Sequence, residues 1–180
     1  SIACKQKSAH HHMVWHENTH YTVEEKPAIA LNLLKEGNKR FLDGDMVNTD
    51  YEEHIEATKN DQHPHTVILS CMDSRVPPEI VFDQGIGNVF VIRVAGNIED
   101  TDILGSLEYA VKVKKVSLLL VMGHQNCGAV KGSIDDVQMG NLTHLLHHIK
   151  PAITNETDKA KMLEETAKQN VRMTIADILK

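Results

Sequence analysis

Three short apolar runs constrain this chain more than anything else in it: TVILS at 66–70, NVFVIRV at 88–94 and VSLLLVMG at 116–123. Each is rich in branched or aromatic side chains. Each is close to continuously apolar instead of alternating, the pattern of strands covered on both faces of a parallel sheet. Between the second and third runs lies TDILGSLEYAVKV, in which Ile103, Leu104, Leu107, Ala110 and Val111 recur at helical spacing behind Thr101, a suitable N-cap. Strand, helix, strand is the βαβ unit, and parallel pairing needs such a crossover.

Upstream, Thr22 and Glu25 have capping-box spacing ahead of Ala30, Leu31, Leu34, Phe41 and Leu42, with Gly44 as a stop. That stripe needs something to cover. Downstream, NLTHLLHHIKPAI at 141–153 and the stretch 161–179 read as helices. No internal repeat and no Gly- or Pro-rich linker divides the chain. The predicted architecture is one α/β domain over 22–180, a mostly parallel sheet flanked by helices and entered through an N-terminal helical arm. Residues 1–21 show no periodicity and read as a mobile arm, with His10, His11 and His12 as a solvated stretch.

Composition narrows the function. A formal charge of −6 argues against a general nucleic-acid binder, which meets phosphate with basic patches. No apolar run approaches the roughly 20 residues of a membrane-spanning helix. Three cysteines are an odd count and do not suggest a disulfide framework. Cys4 follows SIA and precedes KQKS, which resembles the end of a bacterial lipoprotein signal. If Cys4 is such a remnant, the protein is periplasmic or membrane-anchored; otherwise a cytoplasmic location is expected.

The first and third runs end in chemistry. The first leads into Cys71-Met-Asp73-Ser-Arg75, the third into Gly123-His124-Gln-Asn-Cys127. Ligands of open α/β sheets bind outside the carboxyl ends of the strands, so one shared site is plausible despite the sequence gap. Two thiolates and an imidazole suit zinc, and three protein ligands leave the open position of a catalytic site. Asp73 can take that position as a fourth ligand or stand beside it, and Arg75 can grip its carboxylate and hold it off the metal. Singly, a strand-end cysteine is most often a small buried hydrophobe, a lone histidine a satisfied core residue, and Asp73 with Arg75 a turn ion pair. Their joint occurrence at two strand ends is what favours a site.

CMDSR with HQNC, and FDQG, FVIRVAGN and GSLEYAV between them, resemble a β-class carbonic anhydrase, over most of the chain from Glu24 to Lys180. The resemblance implies zinc on Cys71, His124 and Cys127, a catalytic dyad of Asp73 and Arg75, and reversible hydration of carbon dioxide to bicarbonate and a proton via zinc-bound hydroxide. It also implies Gln62 as a substrate-binding amide acting across a dimer interface, and Phe90 and Tyr109 as walls of the carbon dioxide pocket. From residues alone, Gln62 is a loop amide and the two aromatics are ordinary core. Ala95 stands where the pocket commonly has a branched aliphatic side chain. Ile68 and Ser70 replace the Trp and Gly of a subgroup with a noncatalytic bicarbonate site, so a bicarbonate switch is not expected. A homodimer or tetramer of dimers is implied, although relatives continue past the last helix into a strand that this sequence does not include. Rival readings are a carbon disulfide or carbonyl sulfide hydrolase on the same fold, a structural zinc domain, and a thiol redox protein. The structural domain has no need of an aspartate–arginine pair, and the redox reading lacks the usual C-x-x-C spacing.

Overall fold

The structure is a computed structural model that describes residues 22–180. The readings placed on residues 1–21, including Cys4 and His10 to His12, lie outside the described residues. Three parallel strands, β1 (Thr66–Ser70), β2 (Val89–Arg93) and β3 (Leu118–Met122), form a sheet in the order β2-β1-β3. Register pairs Thr66 with Val89 and Leu118, and Ser70 with Arg93 and Met122, so all three strands end level. The α/β expectation and the parallel sheet hold. Only β1 is buried along its whole length, because it alone has a strand on each side. β2 and β3 are largely half-buried and start one and two residues later than the apolar runs suggest.

Helices α1 (Lys26–Asp43), α2 (Tyr51–Thr58) and the short α3 (Pro78–Val81) precede β2. The capping box closes: Glu25 N–H donates to Thr22 Oγ1 at 3.3 Å, and Thr22 N–H to Glu25 Oε2 at 2.8 Å. Gly44 ends α1 in the left-handed region at φ 74°. The buried stripe of α1 differs from the predicted one. It consists of Ala30, Leu34 and Gly37, while Leu31, Phe41 and Leu42 stay exposed. Gly37 explains the shift, because a Cβ there would lie 1.8 Å from the Phe82 carbonyl oxygen. The helix can approach that backbone only along its glycine.

Helix α4 (Thr101–Glu108) is capped by Asp100, not Thr101; the Asp100 carboxylate accepts from Ile103 N–H at 2.9 Å. The helix then widens into a five-residue π turn, Tyr109–Val113. Leu107, Ala110 and Val116 pack with Val67 of β1. Beyond β3 come α5 (Gly128–Ile134), α6 (Gly140–Ile149) and the long α7 (Lys159–Ile178). A second cluster, of Ile98, Val130, Leu146 and Ile149, surrounds Cys71 and Cys127, so apolar packing fixes the two sulfurs at the sheet's carboxyl edge. No helix among the described residues is long and apolar enough to cross a membrane.

One buried charge locks the segment before β2. The fully buried Asp83 accepts from Arg40 Nε at 2.6 Å and from the backbone N–H groups of Val47 and Asn48 at 3.1 Å. Removing this carboxylate orphans a guanidinium and two amides at once. Asp83→Ala is therefore expected to lower unfolding free energy by about 3 kcal/mol in urea titrations; a change under about 0.5 kcal/mol would contradict this role.

Candidate metal centre

β1 and β3 end side by side, and each hands its chain to a turn carrying part of the site. Cys71 follows Ser70 directly. After β3, Gly123-His124-Gln125-Asn126 turns back, with Asn126 in the left-handed region, and delivers Cys127 to the head of α5. Potential ligand atoms of Cys71, His124 and Cys127 all lie within 4.8 Å of one another. The two sulfurs are 3.9 Å apart, far beyond a disulfide bond, and both cysteines are free and buried. Two thiolates on one tetrahedral zinc, with Zn–S near 2.3 Å, would stand roughly 3.8 Å apart. The spacing fits.

The imidazole adds a second sign. His124 Nδ1–H donates to the Gln125 carbonyl at 2.8 Å, which leaves Nε2 with its lone pair free. Nε2 is buried and, among the described residues, meets no hydrogen-bond partner within normal geometry. A buried acceptor without a partner is costly, and here it faces two thiols. Those donors together are what a soft divalent ion requires.

The sulfurs are electrostatically unequal. The Cys127 thiol donating to Cys71 lowers the Cys71 pKa, opposed by burial and helped by Gly96 N–H at 3.4 Å from Sγ. Cys127 is pushed up by the neighbouring Cys71 sulfur and then by burial. A cation among the three atoms would let both deprotonate.

Asp73 sits beside this cluster in a fork. Arg75 Nε donates to Oδ1 at 2.9 Å, Nη2 to Oδ2 at 2.8 Å, and its backbone N–H to Oδ1 at 3.0 Å. Oδ2 remains 3.8 Å from His124 Nε2. The Arg75 guanidinium, followed by the Arg75 backbone bond, holds the Asp73 carboxyl far below the usual carboxylate range.

In the sequence Arg93 looks like no more than the polar end of an apolar run. From the end of β2 it donates through Nε to the Cys71 carbonyl at 3.0 Å and through Nη2 to the Asp73 carbonyl. It thereby clamps the turn that carries both a sulfur and the carboxylate. Ala95 lies in the adjoining turn, next to Gly96.

The remaining predicted residues form a separate group. Phe90 and Tyr109 are 6.3 Å apart between ring centroids and line a groove of about 530 Å³ with Val67, Thr101, Asp102 and Ser106. Phe90 pairs with Val67, four residues before Cys71, which puts it roughly 13 Å along the strand from the sulfur. Gln62 is exposed ahead of β1, beside Asp61, which binds Lys114 at the end of the π turn. Within one chain these three residues occupy the amino end of the sheet, and the Cys-His-Cys cluster occupies the carboxyl end.

The carbonic anhydrase family model matches residues 66–180. Carbonic anhydrase 2 of Mycobacterium tuberculosis is 36% identical over 160 residues, covering 85% of this chain and 77% of that protein. A carbonic anhydrase of Mycolicibacterium smegmatis is 37% identical over 159 residues, covering 84% and 77%. Among solved structures, one of two tetrameric β-carbonic anhydrases of Sordaria macrospora has a TM-score of 0.64 at 26% identity, covering 84% of this chain and 78% of that one. A β-carbonic anhydrase of Aspergillus fumigatus has a TM-score of 0.68 at 21% identity, covering 73% and 67%, a likeness of fold.

Two outcomes are expected. His124→Ala or Cys127→Ser should abolish stoichiometric binding of a divalent metal, as measured by elemental analysis after dialysis. Full retention in both would dismiss the cluster as a centre. Arg75→Ala should raise the Asp73 pKa toward its ordinary value near 3.8, read from the carboxyl carbon shift in a pH titration. Because the folded value is depressed, the Asp73 contribution to stability is present above about 3.8 and fades as pH falls toward the folded value. In Arg75→Ala that acid-side loss should largely disappear.

Proposed function

This chain belongs to the β-class carbonic anhydrase family, and from that membership we propose that it catalyses the reversible hydration of carbon dioxide to bicarbonate and a proton, with zinc held by Cys71, His124 and Cys127. The observation that carries the proposal is the buried Nε2 of His124, without a hydrogen-bond partner among the described residues, facing two free sulfurs 3.9 Å apart. When bound there, zinc supplies the Lewis acidity that brings the ionisation of water toward neutral pH.

The chain's own residues do the rest. Asp73, kept ionised by Arg75, is an acceptor at every working pH and orients the attacking water by taking a hydrogen bond through Oδ2. Both of its oxygens are engaged by Arg75, which favours a carboxylate standing beside the metal over one ligating it. Arg75 also reaches the Asn126 carbonyl at 3.4 Å, tying the dyad to the turn that presents Cys127. Carbon dioxide is small and apolar, so it needs a dry wall more than hydrogen bonds.

Phe90 and Tyr109 supply such a wall, and Gln62 an amide to orient a substrate oxygen, but they sit at the other end of the sheet from the dyad. A homodimer resolves this by presenting the amino end of one subunit to the carboxyl end of its partner. Exposed apolar side chains at Tyr109, Val113, Phe41 and Leu42 fit burial in such an assembly. A related Sordaria macrospora enzyme is tetrameric.

Asp73→Asn should retain its metal while kcat for carbon dioxide hydration falls about 100-fold or more in a stopped-flow indicator assay. Unchanged turnover would remove Asp73 from the mechanism, and turnover of carbon disulfide in place of carbon dioxide would redirect the substrate assignment.

A further inference from the structure

The longest helix among the described residues, α7, buries an unexpected face. Its buried residues are Thr166, Asn170 and Thr174, all polar and four apart. Burying an amide and two hydroxyls is costly unless each finds a partner, so the face must grip something. Asn170 Nδ2 donates to the Gly96 carbonyl at 2.7 Å, and Thr174 Oγ1 to the Asn97 carbonyl at 3.3 Å. Thr166 instead accepts from Thr154 N–H at 3.3 Å, away from that turn.

The gripped turn is conformationally costly. Gly96 and Asn97 are consecutive residues in the left-handed region, at φ 71° and 44°. A Cβ on Gly96 would meet Ile149 Cδ1 at 2.5 Å. Two successive residues of this kind persist only where surrounding contacts over-determine them. The turn also does something specific, since Gly96 N–H donates to Cys71 Sγ at 3.4 Å.

We propose that Asn170 is a positioning residue for the metal centre: its buried amide fixes the Gly96 turn so that the Gly96 N–H stays on the Cys71 sulfur and sets that sulfur's strength as a ligand. The inference rests on Cys71 being a metal ligand. A hydrogen bond to a thiolate withdraws electron density from it and fixes its direction, and outer-shell partners of this kind typically change metal affinity 10- to 100-fold. The Asn170 grip outranks that of Thr174, being shorter and made by a rigid amide.

The test uses the full chain loaded with zinc or cobalt(II), comparing Asn170→Leu with Thr166→Val, a change on the same buried face that does not touch the turn. Asn170→Leu should weaken zinc about 10-fold or more in competition with a chelator, and should move the sulfur-to-cobalt charge-transfer band to lower energy. Thr166→Val should leave both unchanged even if it lowers the melting temperature. Wild-type affinity and spectrum in Asn170→Leu would overturn the proposal, as would equal changes in the two variants. If Asn170→Leu does not fold, Asn170→Ser carries the same comparison with the same criteria. A wild-type cobalt protein lacking any sulfur charge-transfer band would instead overturn the ligand assignment on which the inference rests.

Discussion

The structure is organised around an unpaired lone pair. His124 Nε2 is buried beside two sulfurs 3.9 Å apart and has no hydrogen-bond partner among the described residues. Without a ligand, that arrangement is unfavourable by the ordinary cost of an unsatisfied buried polar atom, roughly 1–3 kcal/mol. A fold that held it for packing alone would be better served by apolar side chains at those positions. The surrounding polar contacts make sense as consequences. Arg93 clamps the Cys71 and Asp73 carbonyls, Gly96 meets the Cys71 sulfur, and Asn170 holds Gly96.

The same logic separates the roles of the two charged pairs near the sheet. Asp83 is sealed away and satisfied by Arg40 and two backbone amides, so it serves the fold. Asp73 with Arg75 is partly exposed and keeps one oxygen 3.8 Å from His124. Solvent screening limits what such a pair adds to stability, and that part is lost only on the acid side. On the proposed mechanism, the pair's value lies in keeping an acceptor ionised and aimed.

Much of this was legible from the sequence, for identifiable reasons. TVILS matches β1 residue for residue because a strand covered on both faces is close to continuously apolar. Thr22, Glu25 and Gly44 act locally, and local chemistry survives without knowledge of the fold. Strand ends carrying Cys71 and His124 implied their own convergence once the sheet was parallel. What escaped depends on long-range contact. Arg93 reaches residues 71–73, a link no periodicity announces. Helix α5 is short, begins at Gly128 and carries Gly132 inside it, which hides the element that Cys127 leads into. On α7, spacing reveals that 166, 170 and 174 share a face, but polarity suggests that this face meets water, whereas it meets backbone. The buried stripe of α1 departs from the hydrophobicity pattern because Gly37, which that pattern does not register, decides which side approaches Phe82. Gln62, Phe90 and Tyr109 sit apart from the cluster within one chain, a separation along the strands that a resemblance of short motifs does not reveal.

X-ray absorption at the zinc edge of the purified protein tests the central claim most directly, because it counts the atoms around the ion. The account predicts two sulfurs at about 2.3 Å and two lighter atoms at about 2.0–2.1 Å, one of them imidazole nitrogen. A shell of only nitrogen and oxygen, or one of four sulfurs, would contradict it.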